Sequence, residues 1–388
     1  MRRFGDLSVC ILAGNPFQKG GVERLTLGVR AALTDALGDE RVATFAVAGQ
    51  AEGRDGWSAG ERVTIRTKSA FAGTMIGRIA RRHPRAVLIV MHVNLSQVAR
   101  VASGMWGNPY VVWAHGAEVW ADLQPLPGWG LRGADHVLCS SEFTRTQIVD
   151  RHNVVPERSL TLHPAVSASC LDRAARVRRT AGSSAPVILS VGRLSREAAY
   201  KRFDAVIEAL PIVMGAVPNV RYVIVGEGTG REDLRSLART VGVEDRVEFR
   251  SADEDDRLWD AYESARVFAM PSAFQLGRRP VGEGFGITLA EAAIFGRPVV
   301  GPSGGGSGEA FRPGVTGEAV DAGDRRQLAD ALVRYLSDPD EADRAGVAGR
   351  AWALERFTPA RFAQDLLGAL GLSGSNQRVG AAIAESPS

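Results

Sequence analysis

The chain has 388 residues, of which 45% are hydrophobic and 23% charged, and 47 Lys and Arg against 44 Asp and Glu leave a formal net charge of +3. At about 150 residues per domain this length predicts two or three domains, and the ordinary composition excludes a largely disordered or collagen-like chain. So small a charge implies no nucleic-acid partner, and the longest apolar run, Ala86 to Met91, falls far short of the roughly 18 residues that span a bilayer.

Short apolar runs alternate with longer amphipathic stretches, which predicts parallel strands joined by crossover helices. The first strand is expected at Leu7 to Ala13, followed by Asn15 to Glu23. There Gly20 and Gly21 permit close backbone approach at a helix start near Val22, which suits an anion; a plain tight turn is the competing reading. Further strands are expected at Val42 to Ala48, Val87 to Met91, Tyr110 to Ala114, Val137 to Ser140 and Leu160 to His163. Arg78, Arg81, Arg82, His83 and Arg85 form a basic patch that reads either as a solvated face or as a contact with anionic lipid. His115 follows the strand Tyr110 to Ala114 at the carboxyl edge, where ligands of such sheets bind. It suits a hydrogen bond to a sugar hydroxyl or to a developing charge, against a structural role.

A second strand series is expected at Val187 to Val191, Tyr222 to Val225, Val247 to Phe249, Val267 to Met270 and Pro298 to Gly301. Arg193 follows the first of these and Lys201 precedes a helix start, so both cations sit where they can neutralise a diphosphate without metal; a helix start decorated with surface charge is the competing reading. Lys201 is one of only three lysines, with Lys19 and Lys68, and is preferred here to its neighbour Arg202. Gly226 to Gly230 imitates a dinucleotide fingerprint, but its last glycine is one position early. Asp253 to Asp256 reads as a solvated turn rather than a metal site. The run Glu283-Gly284-Phe285-Gly286-Ile287-Thr288-Leu289-Ala290-Glu291 places two carboxylates around a glycine loop at a helix N-terminus, which fits a ligand carrying both phosphate and hydroxyls. Two solvated glutamates are the alternative. Helices are expected at Arg325 to Leu336, Ala342 to Phe357 and Ala360 to Leu370.

Taken in order, Gly20-Gly21-Val22-Glu23, His115-Gly116, Ser140 to Thr144, Val191 to Leu194, Val225 to Gly228, Met270-Pro271-Ser272 and the E-x7-E pair Glu283 and Glu291 resemble the family 4 retaining glycosyltransferases of the GT-B fold. The resemblance reaches to about Leu370. It implies an α/β protein of two doubly wound Rossmann-like domains facing each other across a cleft. The division expected is an acceptor-side domain at 1–168, a linker at 169–185, a nucleotide-sugar-binding domain at 186–350, helices at 351–370 crossing back to the first domain, and a disordered tail at 371–388.

By the same resemblance the donor is a nucleotide diphosphate sugar. Arg193 and Lys201 bind its diphosphate, Glu291 the ribose, and Glu283 with Gly284, Phe285 and Gly286 the sugar; Gly20 and Gly21 touch the phosphate and His115 the transferred hexose. His115, Arg193, Lys201 and Glu283 are the expected catalytic groups. Two departures stand out: Ala273 to Gly282 lengthens the approach to Glu283, and Leu194 to Tyr200 lengthens the spacing between Arg193 and Lys201. The implied reaction is front-face displacement with retention onto a hydroxyl of a saccharide, glycoconjugate or lipid-linked acceptor, with no metal and no other cofactor. Exopolysaccharide or glycoconjugate assembly is the expected setting and natural-product glycosylation the alternative; an NAD(P)-dependent oxidoreductase and a non-catalytic sugar-binding module are the rivals from other classes. Cys10, Cys139 and Cys170 form no framework, so a cytoplasmic protein is expected, peripheral at the inner face of the membrane if the basic patch meets lipid.

Overall fold

Runs such as Val-Leu-Ile-Val and Val-Ile-Leu-Ser-Val lack the polar alternation of a half-exposed strand, because a parallel sheet is covered on both faces. In the computed structural model, which describes residues 8–14, 20–46, 62–64, 86–176, 186–251 and 255–372, these runs become the middle of two sheets. The chain divides into one unit of Met1–Ala165 with Pro359–Ser388 and a second of Val166–Thr358.

The first unit holds β1 (Val9–Ala13), β2 (Val42–Ala46), β3 (Arg62–Thr64), β4 (Val87–Val90), β5 (Tyr110–Ala114), β6 (His136–Cys139) and β7 (Ser159–Thr161). They form a parallel sheet in the order β3-β2-β1-β4-β5-β6-β7. Its helices include α1 (Gly21–Leu37), α2 (Ser96–Trp106), α3 (Pro125–Arg132) and α4 (Glu142–His152). Ser141 caps α4 by accepting from the Thr144 amide at 3.2 Å, the ordinary device for an orphan N–H at a helix start.

In the second unit, β8 (Val187–Val191), β9 (Arg221–Val225), β10 (Val247–Arg250), β11 (Val267–Ala269), β12 (Val299–Pro302) and β13 (Gly317–Val320) form a parallel sheet in the order β10-β9-β8-β11-β12-β13. Both orders are doubly wound, and in such sheets ligands bind beyond the strand ends at the point where the order reverses. That point lies between β1 and β4 in one unit and between β8 and β11 in the other.

The second unit's helices are α5 (Ala168–Arg176), α6 (Phe203–Ala216), α7 (Arg231–Val241), α8 (Asp255–Ser264), α9 (Ile287–Ile294), α10 (Arg325–Ser337) and α11 (Pro339–Arg356). Residues 169–185, expected as a linker, therefore begin with most of α5. Its Cys170 and Ala174 are buried in the second core, Arg173 pairs with Asp260 at 2.7 Å and with Glu263, and Arg350 donates to the Ala174 carbonyl at 3.1 Å. The chain leaves this unit after Thr358, and α12 (Pro359–Ala369) belongs to the first. There Phe362, Leu366 and Leu370 join the core of β1, β4 and β5, with Phe362 stacked on Trp113 at 6.0 Å between ring centroids.

Strand limits move by a residue or two from those expected, and β3 and β13 are additional. β13 lacks a β-branched run, and its Gly317 lies so close to β12 that a Cβ would collide with the Val299 carbonyl. Asn15 to Lys19, the basic patch at 78–85, Asp253 with Glu254, and the tail beyond Leu372 lie outside the described residues. Among the described residues no helix is long and apolar enough to cross a membrane, and no group of His, Cys, Asp and Glu is arranged to hold a metal. Cys10, Cys139 and Cys170 are buried free thiols.

Candidate functional site

At the switch point of the second sheet, two loops meet. One runs from the end of β8 through Gly192 to Lys201, the other from the end of β11 through Met270 to Glu283. The first loop is held in place by the glycine run after β9. Leu194 donates to the Glu227 carbonyl at 2.8 Å and Gly230 to the Leu194 carbonyl at 2.6 Å. A Cβ on Gly226 would strike the Gly192 carbonyl and one on Gly228 the Leu194–Ser195 backbone. Gly226, Gly228 and Gly230 therefore serve loop-on-loop packing, which accounts for a fingerprint with the wrong spacing.

Lys201 ends a short 3-10 turn (Arg196–Lys201). The next residue, Arg202, adopts a left-handed φ of 59°, which reverses the chain into α6. Lys201 then lies under Gly192, where a Cβ would be 2.9 Å from Lys201 Cδ. Its ammonium pairs with the Glu283 carboxylate, the two side chains being only 10% and 16% exposed, and stands 3.9 Å from Met270 Sδ. Arg202 turns instead to Asp204, at 3.1 Å. Of the two adjacent cations, the lysine faces the loop junction.

The lengthened approach to Glu283 closes on itself. Gln275 and Val281 exchange backbone hydrogen bonds of 3.0 and 3.1 Å, so Ala273 to Gly282 is a looped excursion with Arg278 and Arg279 exposed at its tip. It returns Glu283 to the neighbourhood it left at Ser272. The Ala273 amide donates to the Tyr200 carbonyl at 2.6 Å, which fastens the two loops together. Burial, then the Glu283 charge, pushes the Tyr200 pKa upward, opposed by the charge of Arg193. Arg193 itself is exposed.

Gly286, with φ 79°, starts α9. A Cβ there would be 2.8 Å from Leu289 Cδ1 and 2.9 Å from Ser307 Cβ, so the position admits only glycine without a shift. Gly284 is half-buried, and Phe285 is buried edge-on against Phe357 at 5.1 Å. Glu291 is not a solvated glutamate. It is 0% exposed and accepts from the Tyr262 hydroxyl at 2.9 Å. A buried carboxylate needs such donors, and contact between Glu291 and a ligand would require the side chain to leave this arrangement. Thr288 connects the two regions, its hydroxyl 3.5 Å from Met270 Sδ and its carbonyl 3.4 Å from the Tyr262 hydroxyl.

In the first unit, Gly20 is the N-cap of α1; it is half-buried and Gly21 exposed. His115 joins the ends of β5 and β4, since its Nε2 lies 2.6 Å from the Met91 carbonyl. A carbonyl can only accept, so Nε2 carries the proton. The His115 amide donates to Glu118 Oε1 at 2.5 Å, and burial, opposed by Glu118, lowers the imidazole pKa. His115 is thus a neutral, rigidly held ring at the switch point of its own sheet.

The structure accordingly pairs Lys201 with Glu283, places Arg193 on the loop that carries Lys201, buries Glu291 in the second unit, and keeps Gly20, Gly21 and His115 in the other unit. Tyr200 and Ser272 escaped the sequence reading as site residues. Ser272 is 4% exposed and its hydroxyl has no hydrogen-bond partner among the described residues; its position after a strand end was the available signal.

Residues 173–352 match the family described as Glycosyl transferases group 1. A GDP-mannose-dependent alpha-(1-6)-phosphatidylinositol monomannoside mannosyltransferase of Mycolicibacterium smegmatis is 34% identical over 268 residues, 66% of this chain and 69% of that protein. A D-inositol 3-phosphate glycosyltransferase of Acidothermus cellulolyticus is 32% identical over 298 residues, 70% of this chain but 64% of its own length. Among solved structures, Anabaena Alr3699/HepE in complex with UDP gives a TM-score of 0.74 at 18% identity over 93% of this chain and 99% of that one. Sucrose-phosphate synthase from Thermosynechococcus elongatus gives 0.74 at 19% identity over 97% and 100%. Identities so low speak for the fold alone. By their names the two sequence relatives concern phosphatidylinositol monomannoside and D-inositol 3-phosphate. The two doubly wound sheets, the pair of Lys201 with Glu283 and these matches lead to one assignment: the chain belongs to the group 1 glycosyltransferases and has the GT-B fold.

Proposed function

We propose that this protein transfers a hexose, with retention and without metal, from a nucleoside diphosphate sugar to a hydroxyl of an inositol-bearing or other glycoconjugate acceptor. The observation that carries the reading is the nearly buried pair of Lys201 with Glu283 at the switch point of the second sheet, with Arg193 on the loop that carries Lys201. Arg193 and Lys201 supply two positive charges for a diphosphate, and Glu283 is an acceptor for sugar hydroxyls. As the bond from the anomeric carbon to the diphosphate breaks, those cations stabilise the leaving group. The acceptor oxygen bonds to the same carbon from the same face, and its proton passes to the departing phosphate oxygen. Gly284, Phe285 and Gly286 hold the sugar against Glu283, Gly20 and Gly21 approach the phosphate, and His115, neutral and fixed, hydrogen-bonds the sugar. Glu291 enters as the group that orders the start of α9 through Tyr262, with the ribose as its ligand only if the carboxylate turns outward.

GDP-mannose is the first donor to test, because the mannosyltransferase relative is named for it. Work at the surface of an anionic membrane, from the cytoplasmic side, belongs to the same reading. The test is transfer from GDP-mannose, UDP-glucose, ADP-glucose and dTDP-glucose to phosphatidylinositol, inositol phosphate and simple glycosides, with and without chelator. An α-linked product from an α-donor, formed equally in chelator, is expected. An inverted product, or activity restored only by added cation, would refute retention or metal independence respectively.

A further inference from the structure

We infer that the pair of Lys201 with Glu283 sets how strongly the site favours a nucleotide sugar over the free nucleoside diphosphate, because each member holds the other until a ligand replaces both. This rests on the reading of that junction as the donor site. Lys201 is confined. A Cβ on Gly192 would lie 2.9 Å from its Cδ and 3.1 Å from its Cε, the Tyr200 ring lies 5.6 Å from its Nζ, and Met270 Sδ stands 3.9 Å from the ammonium. Glu283 has a glycine on each side, Gly282 at φ 146° and Gly284, so the backbone next to the carboxylate is free of Cβ restraint. Of the two partners, the carboxylate is the one that can turn.

The ammonium donates and the carboxylate accepts, and both side chains are nearly buried, so opening the pair exposes two charges that water reaches poorly. A diphosphate that takes Lys201 leaves Glu283 without a countercharge and beside a second anion, and like charges brought together oppose binding. A nucleotide sugar differs in one respect. Hydroxyls of its hexose donate to Glu283 in place of the ammonium, so both members exchange partners and neither charge is left bare. Once the hexose has moved to the acceptor, Glu283 again lacks a donor, and closure of the pair favours release of the nucleoside diphosphate. The pair thus discriminates substrate from product, a task distinct from stabilising the leaving group.

The test is calorimetric titration of GDP and GDP-mannose, and of UDP and UDP-glucose, into the full-length wild type and the variants Glu283→Gln and Glu283→Ala, each shown folded by circular dichroism. Both substitutions remove the negative charge and release Lys201, so the nucleoside diphosphate should bind about tenfold tighter, the scale of one charge-assisted hydrogen bond. The nucleotide sugar gains the same release but loses the bonds from its hydroxyls to the carboxylate, so it should bind no tighter than it does to wild type. A tighter diphosphate cannot come from a damaged site, which would weaken both ligands. A nucleoside diphosphate bound no better by either variant, or a nucleotide sugar tightened as much as the diphosphate, would overturn the inference and leave the donor-site reading standing. Wild type that binds none of the four nucleotides would overturn the donor-site reading and this inference with it.

Discussion

Lys201 and Glu283 form a nearly buried ion pair, and a buried pair that loses one member leaves an uncompensated charge. Lys201→Met should therefore lower unfolding stability by about 3 kcal/mol, measured by denaturant titration, whereas an effect within a few tenths would place the pair in solvent. Its neighbour makes the opposite prediction. A left-handed conformation costs a non-glycine residue about 1–2 kcal/mol, and Arg202, at φ 59°, spends its guanidinium on a partly exposed pair with Asp204. Arg202→Gly should leave the melting temperature unchanged or raise it by a few degrees; a clear fall would show that the arginine contributes more than its backbone strain removes. At this scale the sequence was readable where chemistry is rare. A single lysine in an arginine-rich half announces itself, but the burial of Glu291 could not be read, because its partner Tyr262 lies on another helix, far along the chain.

The elements that aim these residues are two loops and the glycines between them. Gly226 is where β9 ends, and the space a side chain would need there is filled by the Gly192 carbonyl. Gly226→Ala must push the Gly192–Ser195 loop away, at a cost of about 1–3 kcal/mol, and should move Arg193 and Lys201 with it. Nucleotide binding is expected to weaken at least tenfold, while Gly242→Ala, at φ 79° where a Cβ meets nothing within 4 Å, supplies the comparison for backbone strain without a collision. Equal loss from both substitutions would assign the effect to backbone strain in general. Strand positions were legible because a parallel sheet demands unbroken apolar runs, and α9 because Gly286 and Gly296 bracket it. The turn from Gln275 to Val281 was not, since a closure made of backbone hydrogen bonds leaves no side-chain pattern. Nor was α5, whose Arg-rich exterior concealed the few residues, Cys170 and Ala174, that anchor it.

For the molecule as a whole, all six histidines fall within the first unit. Burial lowers the pKa of His115, His136 and His152 below the usual 6.5. The unfolded chain then binds more protons than the folded one as pH drops, so their contribution to stability is complete above about pH 7 and is lost downward through 6.5. Hydrogen exchange at about pH 5.5 against about pH 7.5, corrected for intrinsic rates, should show peptides of β4 to β6 losing protection while those of β8 to β11 change less. The reverse order would refute the assignment. The return of the chain to the first unit through α12 was expected from the family resemblance; its apolar face of Phe362, Leu366 and Leu370 would have read only as an amphipathic helix. The central claim, that the second unit holds an activated sugar through Arg193, Lys201 and Glu283, is tested most directly by thermal shift with GDP, UDP, ADP and dTDP sugars. Ligand at a hundredfold its dissociation constant adds about 2.7 kcal/mol to stability, so one nucleotide class should raise the wild-type transition by several degrees, and Arg193→Ala and Lys201→Gln, both shown folded by circular dichroism, should lose that rise. No stabilisation by any of the four, or an undiminished rise in both variants, would contradict the account.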